Sequence, residues 1–146
     1  MAILKRRKVS VFLATLAGVG LALGASGIAH ADVINSYWNT NPEGVAGASA
    51  EGDLWKTTSG SNWDVHVRGK VWDTAGDSKS ARVRVKVRNS GGQISYHRAT
   101  NSGGHNSTPK SFEFSFRNAQ KVWIAECTFN VRGEDCGKEW QIYSRF

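Results

Sequence analysis

The chain has 146 residues, 19 of them basic and 12 acidic, for a formal net charge of +7. Four of those bases and none of the acids lie in the first 31 residues, so the remaining 115 carry only +3, too little to mark a nucleic-acid binder by charge. That length accommodates one hydrophobic core and excludes two.

Lys5-Arg6-Arg7-Lys8 leads into an apolar run over 9–28 that closes on Ala29-His30-Ala31. A basic start, an apolar middle and a small-residue end are the parts of a secretory signal peptide, with cleavage expected between Ala31 and Asp32. The run approaches the ~20 residues that span a bilayer, which makes an uncleaved anchor the rival reading. Gly18, Gly20, Gly24, Gly27 and the Ala-x-Ala end favour cleavage, and no lipobox cysteine is present. The mature protein is therefore expected to be secreted and extracellular, with no membrane attachment. The chain divides into a signal peptide (1–31), an N-terminal arm or edge strand (32–44) and one β domain (45–146).

Residues 32–43 place Tyr37-Trp38-Asn39 among Asn, Ser and Pro, a composition that suits either a free arm or a first edge strand. From Gly44 onward apolar and polar residues alternate, and no long 3.6-residue period occurs. Trp63, Val65, Val67 and Val71 share one face of one strand; Ala81, Val83, Val85 and Val87 share one face of the next; Phe112, Phe114 and Phe116 repeat the pattern. The intervening segments 73–78, 89–92 and 101–110 are rich in turn residues. A last hairpin is expected to pair 121–130 with 138–146, with Trp140 and Ile142 facing inward. About seven short strands at such spacings predict an all-β fold, an antiparallel β-sandwich of immunoglobulin-like type. A small barrel is the alternative.

Cys127 and Cys136 are the two cysteines, and an exported chain with an even count normally pairs them. The spacing is not Cys-x-x-Cys and no histidine is near in sequence, which argues against a redox or metal site. The expected disulfide closes a short loop, for which the chain-entropy model gives roughly 2–3 kcal/mol.

A hairpin of 63–73 with 81–89 would set Arg84 opposite Lys70, Lys86 opposite Arg68 and Arg88 opposite His66, every facing pair basic. Through the Gly91-Gly92 turn the next strand would add only Ser95, His97 and Ala99. Like charges across strands repel, so such a surface either receives acids from elsewhere (Asp64, Glu113 or Glu139) or serves an anionic partner. Its members would be Arg68, Lys70, Trp72, Arg82, Arg84, Lys86 and Arg88. All six tryptophans lie beyond the leader. Trp63 and Trp140 are in phase with core residues, and Trp55 and Trp123 suit sheet ends. Trp38 and Trp72 are the candidates for exposure, as anchors for a protein partner or platforms for sugar rings.

Catalysis finds no support: His66, His97 and His105 come with no nucleophile elbow, no His-Glu-x-x-His helix and no metal-spaced cysteines. The Asp73–Asp77 turn lacks EF-hand ligand spacing and reads as an ordinary turn. No metal or other cofactor is expected.

At Asn39-Thr40-Asn41-Pro42, at the turn and strand from Asp73 through Arg82-Val83-Arg84-Val85, and at Glu126-Cys127-Thr128 with Cys136 and Trp140, the chain resembles small secreted β-sandwich proteins of streptomycetes and related actinobacteria. Among these it looks like the adaptor subunits of secreted umbrella toxin particles, which join a lectin subunit to a toxin stalk partly through an extended N-terminal segment. The resemblance implies an adaptor role, with Tyr37, Trp38 and Asn39 in a partner-binding arm. The residues and the resemblance together indicate a non-catalytic, protein-binding module whose partner is another secreted protein. A cell-wall or glycan binder is the alternative, and nucleic acid ranks last.

Overall fold

The computed structural model describes residues 36–40 and 44–145. The leader, residues 32–35 and 41–43 of the expected arm, and Phe146 lie outside the described residues. The described strands are β1 (Ser36–Asn39), β2 (Ala48–Ser59), β3 (Asn62–Asp73), β4 (Ser80–Asn89), β5 (Ile94–Asn101), β6 (Lys110–Arg117), β7 (Ala119–Asn130), β8 (Gly133–Cys136) and β9 (Trp140–Ser144). They form two antiparallel sheets packed face to face. Sheet A runs β1-β2-β3-β6; sheet B runs β5-β4-β7-β8, with β9 also on β7. Among the described residues no helix is long and apolar enough to cross a membrane.

The core follows from the period-two pattern. Val65, Val67 and Val71 of β3 and Ala81, Val83, Val85 and Val87 of β4 are all buried, together with Ala50, Leu54, Val122 and Ile124. These two valine rows do not share a sheet. The expected hairpin of 63–73 with 81–89 is absent: β3 pairs with β2 and β6, and β4 pairs with β5 and β7. Segment 74–79 crosses between sheets, so the rows meet across the core, which buries both.

Two further registers differ from expectation. Asn89 and Gln93 close a three-residue turn instead of the two-residue Gly91-Gly92 turn, with Gly92 at φ 79° and the Asn89 N–H donating to the Gln93 carbonyl at 3.0 Å. Arg88 therefore faces Ile94, Lys86 faces Tyr96 and Arg84 faces Arg98. This one-residue shift sends His97 inward, onto Phe116 and Phe114 at 4.9 and 5.7 Å. The C-terminal hairpin is split: β8 pairs with the end of β7, and β9 pairs with its beginning across a bulge between Val122 and Trp123. Trp140 and Ile142 pack against the core, half-buried. Cys127 and Cys136 face each other across β7 and β8 and are disulfide-bonded.

Trp38, expected to be exposed, is only 5% accessible. Gly52 and Gly69 oppose each other in β2 and β3, and a Cβ on either would run into the Trp38 indole and neighbouring backbone. The paired glycines leave the space this indole fills, so β1 (Ser36–Asn39) is an edge strand built into the fold.

Polar side chains tie the sheets together inside the core. Asn101 at the end of β5 donates to the Val71 carbonyl of β3 and the Thr108 carbonyl, both at 3.2 Å. Glu126 of β7 is 1% accessible, receives the Ala50 N–H at 3.0 Å and is hydrogen-bonded to the Thr40 hydroxyl. Burial pushes its carboxyl up to about 7, against the opposing pull of the Ala50 and Val45 N–H groups. The folded state thus holds a proton that the unfolded chain releases near pH 4.5. The Glu126 contribution to stability is full below about pH 4.5 and is lost as pH rises through 7. The loss is expected to reach at most about 3 kcal/mol. Urea unfolding at pH 5 and pH 8 checks this: Glu126→Gln is expected to flatten the decline, whereas the same decline in both proteins would assign it elsewhere.

Candidate functional site

The alternation that buries the valines of β4 turns Arg82, Arg84, Lys86 and Arg88 outward, along the middle of sheet B. Four like charges on one strand face need counter-charge. It comes from the C-terminal segment. Glu134 of β8 accepts from Arg82 Nη1 at 3.0 Å and Arg84 Nη1 at 3.2 Å, and lies 3.4 Å from Arg98 Nε. Glu139, before β9, accepts from Arg84 Nη2 at 3.2 Å and Lys86 Nζ at 2.8 Å. The result is an alternating row, Arg82–Glu134–Arg84–Glu139–Lys86. Burial alone would push the Glu134 carboxyl up, but the hydrogen bond from Arg82 and the charges of Arg98, Arg84 and Arg82 hold it below its ordinary value. The hydrogen bond to Glu139 raises the Lys86 ammonium.

Aromatic rings stiffen the same face. The Arg82 guanidinium lies 3.8 Å from the Phe129 ring centroid, Lys86 Nζ 5.1 Å from Trp123, and the Arg84 guanidinium 5.8 Å from Tyr96. The acids do not reach the far end of β4. There Arg88, between Ile94 and Lys121 in register, is exposed, and neither it nor Lys121 makes an ion pair among the described residues. Ile94 and Tyr96 remain 50% and 47% accessible. One end of the face is electrically closed, and the other is basic, aromatic and open.

The expected single basic face is therefore two surfaces. Arg68, Lys70 and Trp72 are on the outer face of sheet A, away from the β4 bases, because β3 and β4 belong to different sheets. Arg68 pairs there with Asp53 at 3.1 Å, and Trp72 is half-buried opposite Ser49. Of the acids considered as neutralisers of β4, Glu139 alone reaches it; Glu113 faces Arg68 and Asp64 faces Arg117 in sheet A. Glu134 was missed. Its signal was present, since once Cys127 and Cys136 pair, Glu134 falls two residues along β8 on the same face. From the expected arm, Tyr37 and Asn39 are exposed on the sheet A surface and Trp38 is internal.

His66 and His97 do not meet: His66 stacks on Trp55 at 4.9 Å in sheet A, and His97 lies between the sheets. Cys127, Glu134 and Cys136 cluster closely, but both sulfurs are committed to the disulfide and offer no thiolate ligand. In the 73–77 turn, Asp73 is buried and accepts the Ala75 N–H, while Asp77 accepts the Lys79 N–H and pairs with its ammonium.

No family model, curated protein or solved structure matches this chain.

Removing Glu134 would leave Arg82 and Arg84 side by side on one half-buried face of β4 without the carboxylate between them. Glu134→Ala is expected to cost about 2 kcal/mol. Glu139→Ala should cost less, because its carboxylate is more accessible. Urea denaturation of both variants measures the difference; equal and negligible losses would show that the row contributes nothing to stability.

Proposed function

We propose that the mature protein is a secreted, non-catalytic protein-binding module that docks through the open end of the sheet B outer face. The observation that carries this reading is the contiguous patch of Ile94, Tyr96, Arg88, Lys121 and Trp123, in register across β5, β4 and β7. Tyrosine, tryptophan and arginine dominate protein-binding hot spots, and here they stand on a sheet braced by the neighbouring ion-pair row. The two uncompensated cations select an acidic partner surface and speed its approach. The resemblance to adaptor subunits of extracellular toxin assemblies supports the same class of role, with another secreted protein as partner.

The arm enters this reading in altered form. Trp38 and Thr40 are buried, so deletion of residues 32–43 would damage the fold as well as any contact made by the arm. Point substitutions on sheet B separate binding from folding. Tagged protein retrieved from its producer's culture medium is expected to carry a secreted partner in fixed ratio, identified by mass spectrometry. Tyr96→Ala and Arg88→Glu are each expected to weaken that complex by about tenfold or more while leaving the unfolding midpoint nearly unchanged. Full retention by both variants would overturn the assignment.

A further inference from the structure

The outer face of sheet A carries a separate feature, independent of the docking face proposed above. Tyr37, Asp53, Arg68 and Glu113 align in register across β1, β2, β3 and β6 and form one bank of a groove. Glu51 and Lys70 stand on the other bank. The groove has a volume of about 580 Å³ and passes over the backbone of Gly52 and Gly69, a size ordinary for a ligand site.

One of its exposed elements is an aromatic ring that is nonetheless fixed. Tyr37 is 63% accessible, yet its hydroxyl donates to Glu51 Oε2 at 2.6 Å and accepts from Asn39 Nδ2 at 3.3 Å. The strand beneath is anchored by Trp38. A ring held from its polar end and left bare on its face is a ready stacking platform that loses little freedom on binding. Arg68 is also fixed, donating to Asp53 Oδ2 through Nε and Nη2 at 3.2 and 3.1 Å, with its guanidinium 5.1 Å from the Trp55 ring.

The charges decide the ligand class. Glu51, Asp53 and Glu113 face Arg68 and Lys70, so the banks nearly cancel and hold no strong attraction for an ionic polymer. They do offer carboxylate acceptors beside guanidinium and ammonium donors, the pairing that adjacent sugar hydroxyls satisfy, since each hydroxyl both donates and accepts. We infer that this groove binds an uncharged, extended saccharide chain, with Tyr37 stacked on a ring face and Asp53, Arg68 and Glu113 bonded to hydroxyls. An open channel over a sheet face favours the ribbon shape of β-1,4-linked chains.

The test is isothermal titration calorimetry of the mature protein with the β-1,4-linked tetramers of N-acetylglucosamine, glucose and xylose. Saturable binding of at least one is expected. Tyr37→Ala should weaken it about tenfold and Tyr37→Phe, which keeps the ring, much less. Glu113→Gln, on β6 at the opposite edge of sheet A from β1, should weaken it without altering the unfolding midpoint, so a folding defect in Tyr37→Ala cannot mimic the result. Absence of saturable binding to all three tetramers, or unchanged binding in both Tyr37→Ala and Glu113→Gln, would overturn the site. Full retention of the partner by Tyr96→Ala and Arg88→Glu, with intact saccharide binding, would count against the docking face alone.

Discussion

Arg82, Arg84, Lys86 and Arg88 share one face of a central strand, and that concentration of positive charge dictates what the C-terminal quarter of the chain must do. Buried valines on the opposite face prevent β4 from rotating, so relief must be brought to it. The chain returns twice along β7, as β8 and β9, and delivers Glu134 and Glu139 into the gaps between the bases. The disulfide pins the first return where Glu134 engages Arg82 and Arg84. Supply ends at Lys86, two residues short of Arg88, and the unsatisfied end of the strand is where exposed apolar and aromatic side chains also gather.

The sandwich interior is held by a different means. Hydrophobic burial joins the two sheets without direction, and direction comes from a few buried polar side chains. Asn101 bonds β5 to β3, and Glu126 reaches from β7 to Thr40 and Ala50, setting the edge strand β1 and the start of β2 against sheet B. A buried carboxyl is a costly clamp, and its raised proton affinity is the sign of that cost. It locks Trp38 over the glycine pair, which in turn positions Tyr37 on the outer surface.

Much of this was legible in the sequence. Period-two alternation identified the inward rows of β3, β4 and β6, and cysteine parity identified the disulfide. What it could not supply was which strands are neighbours. Two valine rows are buried equally well side by side or face to face, and only the crossover at 74–79 distinguishes them. The consequence is large: a β3–β4 pair would merge Arg68 and Lys70 with the β4 bases into one surface, whereas the two sets lie on different sheets. The Asn89–Gln93 turn differs by a single residue from the expected one, yet that exchanges Tyr96 and His97 between the outer and inner faces of β5. Trp38 looked exposed because its neighbours are polar, and the glycines that receive it lie 14 and 31 positions away in the chain.

A partner docked as proposed would cover the open end of the sheet B face. Hydrogen-exchange mass spectrometry of the protein, alone and with its captured partner, addresses this by locating the surface that loses solvent. Slowed exchange concentrated in β5, the Arg88 end of β4 and the beginning of β7 is the result the account predicts. Protection confined to β1, β2, β3 and β6, with β5 unchanged, would contradict it and move the protein contact to the opposite sheet.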